Sequence, residues 1–178
     1  MAKFRLPVAV MGVSGVGKST VGLRLAQALG VEYEDGDALH PAANVAKMAA
    51  GHPLDDADRI PWLDAVGAWL AGHGGVVSCS ALKRDYRDRL RAAAPGVYFV
   101  ELDAPRDELA RRMTTRSGHF MRVQMLDSQL ATLEPLAADE PGLTVDATAD
   151  IGDLVVEVLA ALEIPARTRR DDVESPLV

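Results

Sequence analysis

Short apolar runs alternate along this chain with longer stretches whose apolar residues recur at helical spacing. "LPVAVMG" predicts a first strand, and "KSTVGLRLAQALG" predicts a helix stopped by Gly30. "VEYED" predicts a second strand, and "HPAANVAKMAAG" a short helix with Pro41 in its first turn and Gly51 beyond its end. "RIPWLDAVGAWLAGHG" predicts a helix capped by Asp58, with Pro61 early enough to be accepted. "GVVSCS" is a buried-type strand, followed by the helical "LKRDYRDRLRAAAPG". "VYFVELD" is the most hydrophobic strand; Asp103 at its end reads as the cap of the next helix, "PRDELARRMTTRSG". "VQMLDSQLATLEP", "LTVDA" and "DIGDLVVEVLAAL" complete the pattern as helix, strand and helix. Strand and helix alternate about five times, which predicts an α/β fold: a five-stranded parallel sheet covered on both faces by right-handed crossovers. From Glu163 the periodicity stops, so 163–178 reads as a charged, loose tail on a single domain spanning 1–162.

Composition narrows the function. The 178 residues suit one domain with a proper core. With 19 basic and 26 acidic side chains the net charge is −7, which argues against coating nucleic acid but not against a small anionic ligand. Cys79 is the lone cysteine, so no internal disulfide forms and a reducing cytoplasm is expected. No apolar run approaches the roughly 18 residues of a membrane helix. Lys3 and Arg5 before "LPVAVMG" faintly resemble a signal sequence, but the apolar run is too short to predict secretion.

The sharpest motif joins the first strand to the first helix. Gly12, Val13, Ser14, Gly15, Val16, Gly17, Lys18 and Ser19 have the Gly-x-x-x-x-Gly-Lys-Ser spacing of a phosphate-binding loop. Its N–H groups and the helix N-terminus favour a chain of phosphates. Lys18 reaches the β- and γ-phosphates, Ser19 offers its hydroxyl to Mg²⁺, and Thr20 is expected at an α-phosphate. ATP and Mg²⁺ are therefore the expected cofactors. The base-reading Asn-Lys-x-Asp of guanine-nucleotide switches does not occur, so a small-molecule or nucleotide kinase fits better. Asp35 and Asp37 are two apart, so an extended backbone points both the same way. One can hold a water of the metal shell, and the other can accept the proton of an acceptor hydroxyl.

The stretches "GVSGVGKST", "DGDALHP", "PLDDADR", "CSALKRDYRD", "GHFM" and "SQLATLE" occur in an order that resembles the gluconate kinase family. The resemblance runs to about Glu140. It implies transfer of the ATP γ-phosphoryl group to D-gluconate, a three-layer αβα phosphate-loop NTPase fold like that of nucleoside monophosphate kinases, a small helical lid at about 112–136, and a homodimer. It places Asp37 at the reacting hydroxyl and Asp35 in the metal's outer shell, two roles that remain exchangeable. His40 is expected at a sugar-acid hydroxyl, the alternative being a solvent-facing residue at a helix start. Arg59 is expected to grip the substrate carboxylate with its fork, the alternative being pairing with Asp55, Asp56 and Asp58. Lys83, Arg87 and Arg91 share one helix face; the first two, with Ser80, are expected at the substrate and Arg91 on the surface. Arg116, then Arg112, are expected to neutralise the transferring phosphoryl group, with His119 and Gln129 reaching the substrate from the lid.

Arg122, Leu130 and Leu136 stand where many family members have Pro, Phe and Pro, which bears on the lid rather than the chemistry. Trp62, Trp69 and Cys79 read as core. Two rivals stand beside gluconate: a kinase for another small acid such as shikimate or for a nucleotide, and a non-catalytic nucleotide-binding module.

Overall fold

Strand β1 (Val8–Met11) is apolar at every position because both its faces are covered. Val8 and Val10 join one core with Val21 and Leu25 of helix α1 (Lys18–Leu29) and with Leu154 and Val158 of helix α7 (Ile151–Ala161). Ala9 and Met11 join the other with Trp62, Leu63 and Val66 of α3 (Asp56–His73) and Leu90 of α4 (Arg84–Ala93). That two-sided burial is the three-layer αβα arrangement the alternation predicts. The structure is a computed structural model describing residues 6–114 and 119–163, with the backbone alone for 119–123. Most of the expected tail, and the Arg116 position, lie outside those residues.

The five strands are parallel in the order β2-β3-β1-β4-β5, with β2 at Tyr33–Asp35, β3 at Val76–Ser78, β4 at Tyr98–Asp103 and β5 at Gly142–Asp146. β1 is central, so the loop leaving it opens at the middle of the sheet's carboxyl edge, where open α/β sheets bind ligands. The remaining helices are α2 (Ala42–Ala49), α5 (Arg106–Thr114) and α6 (His119–Thr132).

Three boundaries differ from expectation. α3 is capped by Asp55, not Asp58: Asp58 N donates to Asp55 Oδ1 at 2.8 Å and Asp55 N donates to Asp58 Oδ2 at 2.9 Å. This reciprocal box starts the helix three residues early and leaves Pro61 in its second turn, where it removes one helical bond. Asp103 ends β4 instead of capping α5, whose first carbonyl belongs to Pro105 and accepts from Leu109 N. α6 stops at Thr132, because Glu134 N turns away to bond Leu82 O at 2.8 Å.

Candidate active site

The phosphate loop depends on backbone shapes that only glycine adopts readily. Gly17, just before α1, has φ of 106° in otherwise open space, so its conformation rather than crowding demands glycine there. The left-handed turn leads directly into α1, whose first N–H groups have no partner within the helix. Lys18 folds back over the loop and donates from Nζ to Val13 O at 2.9 Å. Burial lowers its pKa below the usual lysine value, opposed chiefly by the negative charge of Asp37.

The second wall comes from the end of β2. The extended backbone expected through Asp35 and Asp37 stops at Asp35: Asp37 lies in a 3-10 turn (Gly36–Leu39), which Asp35 caps by accepting from Asp37 N at 3.0 Å through Oδ1, so strand spacing does not set the pair. Its Oδ2 accepts from Ser19 Oγ at 3.1 Å. The turn packs so tightly on β3 that a Cβ on Gly36 would lie 2.5 Å from Ser78 O. Ser14, Gly15, Gly17, Lys18, Ser19, Thr20, Asp35, Asp37 and Arg112 all line one cleft of about 600 Å³.

Arg112 reaches the same loop. It donates from NH1 to Val16 O at 3.3 Å, from NH2 to Ala147 O at 2.8 Å and from Nε to Glu108 at 2.8 Å. Hydrogen bonds from Arg111 and Arg112 bring the Glu108 carboxyl down to about 2, so it stays charged beside them.

Arg59 of α3 and Lys83, just before α4, gather beside Tyr86. The Arg59 guanidinium lies 5.8 Å from the centre of the Tyr86 ring and Lys83 Nζ lies 5.5 Å from it. Arg59 also donates to Leu54 O, while Lys83 pairs with Asp56 at 2.9 Å. Tyr86 donates its hydroxyl to Asp56 as well. His40 stacks on Trp62 at 4.6 Å and pairs through Nδ1 with Asn44 Nδ2 at 3.3 Å. Burial, offset by Asp37 and then reinforced by Arg59, keeps the imidazole below its ordinary pKa. Trp62 is core, as expected, and also supports the turn by donating from Nε1 to Gly36 O at 2.7 Å. Ser80 follows β3, and its carbonyl accepts from Gly12 N at 3.3 Å.

Arg87 corrects its expected role. Its side chain is fully buried, and Nε and NH2 grip Glu140 at 2.7 and 2.9 Å. NH1 bonds the carbonyls of Ala81, Leu82 and Glu134, and NH2 also reaches Pro135 O, so the guanidinium is consumed internally. Helical spacing put it on a face with Lys83, but Glu140 arrives from far along the chain and turns it inward. Gln129, expected at the substrate, bonds Ser14 instead. The side chain of His119 and all of Arg116 fall outside the described residues. Tyr86 and Asn44 were missed by sequence reasoning. Both had a signal: Tyr86 stands in "CSALKRDYRD" and Asn44 in the "AAN" that follows "DGDALHP", stretches that carry the family resemblance, though neither was given a role.

Residues 8–133 match a family model described as an AAA domain. A gluconokinase from Gluconobacter oxydans (strain 621H) is 54% identical over 141 residues, 76% of this chain and 79% of the relative. The chain is a member of the AAA-domain family and of the gluconokinase family. A second gluconokinase, the thermosensitive one of Escherichia coli (strain K12), is 40% identical over 86% of this chain and 85% of its own length. The crystal structure of a gluconokinase from Sinorhizobium meliloti 1021 superposes with a TM-score of 0.82 at 48% identity, covering 91% of this chain and 94% of that one. The family match over 8–133 thus takes in the loop, the paired acids and the Arg59, Lys83 and Tyr86 group alike.

Cys79 borders this gluconokinase-family cleft without belonging to its chemistry. It is 1% exposed, and burial pushes its thiol up to about 12. At pH 8 the thiolate is then about one part in ten thousand. Native protein is expected to resist iodoacetamide at pH 8, while urea-unfolded protein labels fully by mass spectrometry. Rapid labelling of the native form would contradict a buried, inert thiol.

Proposed function

We propose that this chain transfers the γ-phosphoryl group of ATP to a hydroxyl of D-gluconate, giving 6-phosphogluconate and ADP. The observation that carries this is the single cleft holding Lys18, Ser19, Asp35 and Asp37 together, in a chain of the gluconokinase family. The loop's N–H groups and Lys18 bind the phosphates and offset charge as it spreads over the γ-oxygens. Asp37 accepts the proton of the attacking hydroxyl as its oxygen bonds to phosphorus. The bond from that phosphorus to the bridging oxygen breaks, and ADP leaves with the electron pair. Arg59 and Lys83, held against Tyr86, suit the gluconate carboxylate, with Asp56 giving up Lys83 when the substrate arrives.

Mg²⁺ fits the donors present. Ser19 Oγ and Asp35 Oδ2 are hard oxygen donors at the mouth of the loop, 3.1 Å apart. Among the described residues no cluster of three or more His, Cys, Asp or Glu is poised for a metal, as suits an ion that takes most ligands from phosphate and water. When bound, the ion neutralises charge on the β- and γ-phosphates. No described helix is long and apolar enough to cross a membrane. A cytoplasmic homodimer completes the reading.

The test is ADP release, measured by a coupled assay, over gluconate, shikimate, other sugar acids and nucleoside monophosphates. Gluconate is expected to give strong turnover and Asp37→Asn to lose about 10²–10⁴ of kcat with ATP affinity kept. Turnover with shikimate or a nucleotide and none with gluconate would refute the substrate. Tight ATP binding with no acceptor-stimulated turnover would make the chain a binding module.

A further inference from the structure

Gln129 ties together parts of the chain 115 residues apart. Its Oε1 accepts from Ser14 N at 2.7 Å, and its Nε2 donates to Ser14 Oγ at 3.0 Å. One carboxamide thus engages the backbone and the hydroxyl of a single phosphate-loop residue. Both residues are half-buried, so these bonds are partly shielded from water.

Gln129 is supported by packing shared with Val13 and Val16 and by bonds to segments outside the loop. Leu126, one turn earlier on α6, is fully buried. Asp127 accepts from Arg106 Nε and NH2 at 2.7 and 2.9 Å, which fastens α6 to α5. Beyond the helix, Glu134 N bonds Leu82 O and Leu136 N bonds Glu101 Oε2 at 3.0 Å. Around Ser14 the loop is held by burial of Val13 and Val16 and by Lys18 Nζ on Val13 O, while the Ser14 N–H and hydroxyl are held by Gln129. Gly15 and Gly17 both have positive φ, and the loop's own Val16 N to Val13 O bond is long at 3.4 Å. Gln129 therefore gives the Ser14 side of the loop two bonds that the loop does not make for itself.

We propose that Gln129 is a positioning residue for the phosphate loop. Resting on the ATP reading above, it holds the Ser14 peptide so that the N–H groups of the following residues stay convergent before a phosphate arrives. The ordering that nucleotide binding would otherwise impose on two glycines is thereby already in place, and that preorganisation appears as affinity.

Two variants and a control test it by calorimetry with a non-hydrolysable ATP analogue. Gln129→Met removes both hydrogen bonds and keeps the chain length; the analogue is expected to bind about tenfold more weakly, with the melting temperature nearly unchanged. Gln129→Glu keeps two acceptors for Ser14 N and Oγ but sets a negative charge beside the triphosphate. It is expected to weaken binding too, with a deficit that shrinks as salt is raised. Leu126→Val loosens α6 without touching the clasp and is expected to lower the melting temperature while leaving analogue affinity intact. Wild-type affinity in Gln129→Met overturns the proposal. So does an equal loss of affinity in Leu126→Val, which would assign the effect to helix packing. Because the readout needs no acceptor, rejection of gluconate as substrate leaves it intact, whereas a wild-type chain that does not bind the analogue overturns this proposal and the ATP reading together.

Discussion

Lys18→Met is expected to lower kcat by at least 10²–10³ while leaving the folded state as stable as before or more so. The ammonium lines the cleft over the loop, and it is already aimed by its bond to Val13 O. Removing one such preorganised donor from a water-poor site costs about 3–4 kcal/mol of transition-state stabilisation. The effect on folding has the opposite sign. Burial lowers the Lys18 pKa in the native protein, so the unfolded chain holds that proton more tightly. At neutral pH the charge therefore opposes folding, and this cost fades as pH rises toward the ordinary lysine value. Methionine keeps the stem and removes the charge. Steady-state kinetics with thermal unfolding check both halves. A variant with near-normal kcat would remove Lys18 from the chemistry, and a large fall in melting temperature would give it a structural role instead.

Arg87→Met is expected to destabilise the protein by about 3–5 kcal/mol, because it leaves Glu140 buried without its partner. For a chain of this size that is a fall of about 6–20 °C in melting temperature. Arg87→Met with Glu140→Leu is expected to recover much of the loss, since an apolar pair removes the stranded charge. Acid behaviour gives a second check. The hydrogen bonds from Arg87, above all, keep the Glu140 carboxyl below its usual pKa. The stability this pair contributes is present above the ordinary glutamate value and is lost as pH falls through the lowered one, a loss that Arg87→Met should no longer show. An arginine gripping substrate would behave otherwise: KM for gluconate would rise with stability unchanged.

Arg87 of "KRDYRDRLR" and Arg59 of "DADR" show how far sequence reasoning carries. Both have the chemistry to hold a carboxylate. Arg59 stays beside the Tyr86 ring and acts on His40, so its expected role remains open to it. Arg87 meets Glu140, more than fifty residues away, and that encounter left no trace in local spacing. The helix start at Asp55 was missed for a smaller reason. Three aspartates in a row of four offered competing caps, and the reciprocal bonds that chose between them appear only in three dimensions.

By itself, the sequence determined the alternation of strand and helix, the phosphate loop, the pair of acids at the end of β2 and the family. Each of these is written in short-range spacing: period two, period 3.6, or a motif of eight residues. The tertiary structure alone decided that Gln129 holds Ser14, that Arg87 is spent on Glu140, and that Tyr86 gathers Arg59 and Lys83. Those outcomes depend on which distant segments the sheet order brings together, and a charged or amide side chain bonds whatever partner burial sets beside it.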